Sequence, residues 1–308
     1  MKISVVIPLY NKKDSIIATI QTVLSQTILP EEIVVVNDGS TDGSDAIVTQ
    51  FNHSLVRLID QKNAGVAAAR NKGIEKAKHE WIAFLDADDI WNINYLKEIK
   101  ALAAQFPYCN VLATAYEMQD YKGNKTSLKL NKIPFKEDAG ILINYFEVAC
   151  CSHPPLWSSA IVIKKRALQD IEGFPLGIKS GEDLLTWAKL AVKNKIAYNL
   201  NPLAVFVQDS AHTYDDKPNR IPENIDVVGR ELSSLYKKNK NIICLKNYIS
   251  SWKKMRASIY LRLGLRSKSV KAALEAIYYN PFNKMVYVYL CLTVVPNKIL
   301  HRVLKINK

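Results

Sequence analysis

From Ile3 to Leu9 the chain is almost uniformly apolar and β-branched, a buried strand stopped by the turn that Pro8 introduces. Asp14 to Ser25 then places Ile16, Ile17, Ile20, Val23 and Leu24 on one helical stripe, with Asp14 or Asn11 as its N-cap. A second buried run, Ile33 to Val36, is broken by Asn37-Asp38-Gly39-Ser40. A helix from about Ser44, a strand around Val56 to Ile59 and an alanine-rich helix from about Ala64 to Ala77 follow. Trp81 to Leu85 is a fourth strand that runs into Asp86-Ala87-Asp88-Asp89, and Asn94 to Gln105 is a further amphipathic helix. Strands and helices alternating over short connections predict an α/β fold, a mostly parallel Rossmann-like sheet flanked by helices on both faces.

The pattern changes in the last third, where the periods are helical throughout. From Ile242 to Leu265, Leu245, Tyr248, Ile249, Trp252, Met255 and Ile259 share one side, with Lys246, Lys253, Lys254 and Arg256 among the remainder. Ser267 to Tyr279 forms a second helix and a third begins near Asn283. Charge marks the same division. Of the net +13, residues 225–308 carry 17 Lys and Arg against Asp226, Glu231 and Glu275, leaving residues 1–224 nearly neutral. A body of 1–224 and a basic helical region of 225–308, joined near Lys217 to Glu223, is the expected organisation.

A basic region beside aromatic and aliphatic stripes reads as helices lying on an anionic membrane surface. The alternative is that the stripes pack on the body and the charges face water. Nucleic acid is disfavoured because no binding motif accompanies the charge. The 13 uncharged residues between Lys284 and Lys298 would reach only about 20 Å as helix, short of a bilayer core of about 30 Å. The N-terminal apolar run is too short for a secretory signal, and the odd set of Cys109, Cys150, Cys151, Cys244 and Cys291 has no paired spacing. These features predict a reduced, cytoplasmic protein peripheral on the inner face of the cell membrane.

In open α/β sheets ligands sit at the carboxyl ends of the strands, where this sequence puts Tyr10-Asn11, Asp38 and Asp86 to Asp89. Asp86 and Asp88 bring two carboxylates together, which suits a hard divalent ion such as Mn²⁺ or Mg²⁺ arriving with a diphosphate, or else forms a solvated acidic turn. Asp38 can accept from a pyrimidine imide, Tyr10 offers a ring to the base, and Arg70 can approach ribose or phosphate from a helix whose N-terminus favours anions. Glu182-Asp183 opens an apolar helix after Gly181, either capping it or providing the base that an inverting transfer needs. The absence of G-x-G-x-x-G and of G-x-x-x-x-G-K-[ST] removes nicotinamide-dependent and P-loop chemistry, and Asp-x-Asp after the fourth strand rather than the first argues against haloacid dehalogenase phosphatases.

These stretches resemble the family 2 glycosyltransferases of the GT-A fold. The matching segments are Ser4 to Asn11, Val35 to Asp42, Asn63-Ala64-Gly65 through Arg70-Asn71-Gly73, Phe84 to Asp89 and Gly181-Glu182-Asp183, in the family's order over residues 3 to 195. The resemblance implies that Pro8, Tyr10 and Asp38 hold the nucleobase, Arg70 the ribose-phosphate region, Asp86 the ribose or metal shell and Asp88 the metal directly, with Asn11 and Ala87 also on the nucleotide-binding side and Asp86-Ala87-Asp88 handling metal and diphosphate. It implies Asp183 as catalytic base, and His212 falls where some relatives place a histidine near the metal. Cys151 to Trp157 lies where relatives contact the acceptor. The activity implied is inverting transfer of a hexose-type sugar from a nucleoside-diphosphate sugar, with UDP the expected nucleotide, to a glycan or lipid-linked glycan in bacterial surface-polysaccharide assembly. A membrane-attached binding protein with a degenerate site is countered by the retained Asp86, Asp88 and Asp183, and a sugar nucleotidyltransferase by the missing G-G-x-G-T-R loop.

Overall fold

The computed structural model describes residues 1–208, 221–296 and 300. Its chain divides into two compact units, residues 1–145 with 152–208, and residues 146–151 with 209–308.

The first unit opens with β1 (Ile3–Leu9), α1 (Ile16–Leu24), β2 (Glu32–Asn37), α2 (Ser44–Phe51), β3 (Val56–Asp60), α3 (Val66–Lys76) and β4 (Trp81–Phe84). These four strands pair in parallel in the order β3-β2-β1-β4. Next come β5 (Ile90–Trp91), α4 (Tyr95–Gln105), β6 (Val111–Gln119), β7 (Lys125–Ser127), β8 (Ala139–Ile141), α5 (Tyr145–Cys151), whose residues 146–151 belong to the second unit, and, back in the first, β9 (Ile161–Lys164), α6 (Lys165–Gln169), α7 (Glu182–Lys193) and β10 (Ile196–Val207). The full sheet runs β3-β2-β1-β4-β9-β6-β10-β5, with β7 on β6 and β8 on β10. It is mixed: β9 lies antiparallel between β4 and β6, while β6 and β10 pair in parallel beyond it.

β1 and β2 are buried at every position, which is why they read as unbroken apolar runs. Pro8 is tolerated in a central strand because the β1–β4 register ends at Val6 with Phe84, so its missing N–H faces no β4 partner. α3 lies so close on β1 that a Cβ at Gly73 would collide with Cγ1 of Val6. That contact sets the height of α3 over the sheet and carries Arg70, one turn earlier, toward the end of β4.

The second unit contains α8 (Val227–Lys238), α9 (Leu245–Arg262), α10 (Arg266–Tyr279) and α11 (Lys284–Leu292). Asp226 caps α8 by accepting from Gly229 N–H at 2.9 Å. Lys253 and Arg256, expected on the polar side of α9, are buried. The reason is a local charge cluster: Lys253 Nζ lies 2.7 Å from Asp226 and 2.5 Å from Glu275, and Arg256 donates to the Tyr260 hydroxyl at 2.7 Å. Among the described residues no helix is long and apolar enough to cross a membrane.

Candidate active site

The Asp86-Ala87-Asp88-Asp89 loop follows β4 and is held from outside itself. Ser15 and Thr19 of α1 donate to the Ala87 carbonyl at 2.9 and 3.0 Å, and Thr19 also reaches the Asp89 carbonyl at 3.0 Å. This use of Ser15 corrects the expected capping of α1 by Asp14 or Asn11: Ser15 occupies the N-cap position, but its hydroxyl reaches across to the loop rather than back to the helix. Ala87 is buried in the core with its carbonyl taken, so it spaces the two carboxylates and offers no side chain to a ligand.

Asp89 anchors the loop from below. It accepts from Val207 N–H at 3.1 Å, from Trp157 Nε1 at 3.0 Å and from the Ser159 hydroxyl, while Asp86 N–H donates to the same Ser159 oxygen at 3.0 Å. Burial, with the negative charges of Asp86 and Asp88 added, pushes the Asp89 carboxyl up to about 8. Trp157, read as part of an acceptor-contacting stretch, works here as a donor to Asp89, with its ring 4.5 Å from that of Phe206.

One carboxylate from each of two acidic pairs, almost a hundred residues apart in sequence, reaches the same cation. Arg70 is buried, pairs with Asp86 at 2.7 Å and lies 3.7 Å from Glu182. Its guanidinium sits 5.2 Å over the Phe174 ring. Phe174 is fixed by a reciprocal pair with Asn71 of α3, whose amide donates to the Phe174 carbonyl and accepts from its N–H, both at 2.8 Å. Gly173 precedes it at φ +69°, where a Cβ would press on the Asn71 carboxamide. This junction delivers the start of α7, and with it Glu182 and Asp183, to Arg70.

Burial works against the Arg70 charge, but Asp86, Glu182 and Asp183 together hold its pKa above the ordinary value. Burial raises Asp183, with Asp86 adding to the shift and Leu184 N–H and Arg70 opposing it. Glu182 is raised by burial and by Asp183. The N-cap position of α7 is Gly181, and Asp183 accepts only 2.7 Å away from the next N–H, Leu184, so capping does not account for the pair. A carboxylate lifted toward neutrality is suited to accepting a proton.

The nucleotide-side residues are more constrained than the sequence suggested. Asp38 accepts from Gln61 Nε2 at 2.7 Å and from Ala64 and Gly65 N–H, both at 2.8 Å. It thus supplies the anion for the N–H groups just ahead of α3, which the sequence had offered to a ligand; of the lone-pair positions a carboxylate carries, three are taken. Pro8 is buried in β1 opposite Val36 and shows no surface. Tyr10 is 48% exposed and presents its ring. Asn11, at φ +50°, ties this turn to the next strand end by accepting from Thr41 N–H at 2.8 Å. Lys12, passed over in the sequence, pairs with Asp88 at 2.6 Å. His212 lies outside the described residues.

Residues 4–161, just over half of the chain, match the model of glycosyl transferase family 2. The chain belongs to that family. An uncharacterized glycosyltransferase of Escherichia coli K12, YibD, is 47% identical to this family 2 chain over 90 residues, 29% of this chain; the chain spans only 26% of that protein's length. The E. coli protein WfaP, named a UDP-Glc:alpha-D-GlcNAc-diphosphoundecaprenol beta-1,3-glucosyltransferase, is 29% identical over 256 residues, covering 80% of this chain and 92% of WfaP. In structure, S. aureus TarS 1-349 in complex with UDP superposes with a TM-score of 0.67 at 20% identity, over 99% of this chain and 90% of that one. That likeness shows the GT-A fold. The family match ends before α7, so Glu182 and Asp183 reach Arg70 from outside the matched segment.

Proposed function

We propose that this chain is an inverting glycosyltransferase that moves a hexose-type sugar from a UDP-linked donor to a hydroxyl of a lipid-linked glycan in polysaccharide assembly. The observation that carries the reading is the convergence of Asp86 and Glu182-Asp183 on Arg70, which puts a donor-side carboxylate and a candidate base in one cluster. The relatives point the same way: a TarS structure holds UDP-GlcNAc, and WfaP by its name uses UDP-Glc and a diphosphoundecaprenol-linked acceptor.

Among the described residues no group of three or more His, Cys, Asp or Glu side chains is arranged to hold a metal. Two carboxylates are nonetheless enough for a hard ion that shares its shell with substrate phosphates and water. Asp88 and Asp86 are the residues that fit Mn²⁺ or Mg²⁺, with Lys12 on Asp88 now occupying a position a cation favours. Such an ion, when bound, neutralises the diphosphate leaving group.

The chain's own residues do the rest. Tyr10 stacks on the nucleobase, while Asp38 keeps the Ala64-Gly65 turn in place beside it. Arg70 holds Asp86 and Glu182 in salt bridges, and Asp183, buried beside them without a salt bridge of its own to Arg70 and raised by that burial, is the carboxylate that receives a proton. Asp183 takes the acceptor proton, the freed oxygen bonds to the anomeric carbon from the face opposite the diphosphate, and the C–O bond to UDP breaks. An α-linked donor gives a β-linked product. A lipid-linked acceptor is consistent with peripheral attachment of the basic C-terminal region to the inner leaflet.

The test is UDP release from UDP-sugars by the wild type, by Asp88→Ala and by Asp183→Asn, with calorimetry of UDP and Mn²⁺ on each. Loss of donor turnover in Asp88→Ala and retained UDP binding without transfer in Asp183→Asn support the reading. Full transfer by Asp183→Asn removes it from the role of base.

A further inference from the structure

The helices α9 to α11 enclose a small core of Ala257, Tyr260, Ala272, Ala273, Ala276 and Val286. That core uses only one side of α11. Val286 and Thr293 are buried there, and Tyr289 and Leu290 pack in part. The other side, Met285, Tyr287, Val288 and Cys291, is open to solvent. A surface helix ordinarily turns charged or polar residues outward; beyond Lys284 this one turns outward nothing charged at all. The apolar exposure continues around the turn before it, with Phe282 88%, Tyr278 76% and Leu274 56% exposed at spacings of four. A single exposed side chain of this kind is ordinary, but a run of them along one helix and its turn marks a contact surface.

Charge selects the occupant. Residues 225–308 hold 17 bases and three acids, and two of those acids, Asp226 and Glu275, are drawn onto Lys253 at 2.7 and 2.5 Å. The acids that could have balanced the surface are therefore engaged within the fold. A second copy of this chain would bring the same positive excess and be repelled. An anionic bilayer leaflet offers both an apolar layer for the exposed face and counter-charge for the bases around it. α11 has nine residues, about 14 Å of helix, and lies on a leaflet rather than across it.

We propose that α11 and the α10–α11 turn are the membrane-insertion face of this protein, with Phe282, Met285 and Val288 seated in the headgroup–acyl boundary and Lys271 and Lys284 at the level of the lipid phosphates. This rests on the membrane-attached reading above and specifies the face that makes the attachment.

The full chain is sedimented with vesicles of phosphatidylcholine alone or mixed with phosphatidylglycerol. The wild type binds the anionic vesicles, and Phe282→Asp with Val288→Asp weakens binding roughly tenfold or more while UDP binding is unchanged. Tyr108→Asp with Tyr121→Asp, the same charge change at exposed positions of the first unit, stays within about threefold of wild type. Equal losses in both double variants would mean that net charge alone matters, overturning the face and leaving membrane attachment in place. Failure of the wild type to bind either vesicle overturns both. Wild-type self-association without lipid that Phe282→Asp with Val288→Asp abolishes makes the face a dimer contact instead. Should that variant not fold, a polarity-sensitive dye on Cys291 in a Cys151→Ser background reads the same point: its emission shifts to the blue on anionic vesicles, and an unshifted spectrum from vesicle-bound protein overturns the proposal.

Discussion

Two buried cations organise the two units, and they are treated in opposite ways. In the second unit Lys253 meets Asp226 and Glu275 and Arg256 Nε lies 3.6 Å from Asp226, two cations for two acids, with Trp252 Nε1 and Gly229 N–H also donating to Asp226. The outcome is a settled cluster: the Lys253 ammonium is held above its usual range and the Asp226 carboxyl below its own, each stabilised in its charged form despite burial. In the first unit Arg70 serves Asp86 and Glu182 and Lys12 serves Asp88, with Asp183 and Asp89 close by, so five acids face two cations. There the carboxyls of Asp89, Glu182 and Asp183 are all raised. A closed charge balance marks a structural cluster; an open one, short of positive charge, marks a place made for a proton or a cation to arrive.

The sharpest way to break the comparison is at Asp183. Asp183→Asn should lower sugar transfer by about 10²–10⁴ while UDP affinity stays within about twofold, measured by single-turnover transfer and calorimetry. Lys253→Met should leave the chemistry alone and cost about 1–3 kcal/mol of stability in denaturant titration, because the partly buried Asp226 and Glu275 lose their charged donor.

Opposite shifts also give opposite pH dependences. Asp226 is held low in the folded state, so its contribution to stability is present above the unfolded carboxyl value near ~4 and is lost as pH falls through the lower folded value. Asp89 is raised to about 8, so stability that is complete below ~4 declines as pH climbs toward that value. Hydrogen exchange, corrected for intrinsic rate, should therefore show Val207 N–H losing protection from pH 5 to 8 and Gly229 N–H losing it only on acidification. The smallest effect belongs to Lys12: Lys12→Ala should tighten Mn²⁺ binding without nucleotide by up to about fivefold, the scale of an exposed ion pair, in a manganese resonance titration.

What the sequence showed of this site follows from which contacts are local. The first four strands and the strand-end acids were legible because a fully buried parallel strand is an unbroken apolar run and a polar residue that ends it stands out. The antiparallel β9 was not, since its four residues resemble any short apolar stretch. Arg70 was read as an approach to phosphate, yet its place on the helix held a clue. Ala67, Arg70, Gly73 and Ile74 form the buried stripe of α3, and an arginine on such a stripe is destined for carboxylates inside the fold. The Asn71–Phe174 junction joins residues 103 apart, a pairing that only the folded chain displays. Lys253 and Arg256 are buried for a related reason: periodicity shows where a side chain points, not whether an acid waits there.

The hydroxyls of Ser15 and Thr19 hold the Ala87 and Asp89 carbonyls, and neither hydroxyl belongs to a residue expected to touch substrate. The loop is thus fastened by its backbone and by the Asp89 carboxyl, and it leaves the side chains of Asp86 and Asp88 to do its work. Residue 88, paired with the half-exposed Lys12, can be exchanged without loosening the mount, whereas a change at residue 86 also takes a partner from the buried Arg70, so a chain of this design can drift toward another ion at 88 while the fastening is kept.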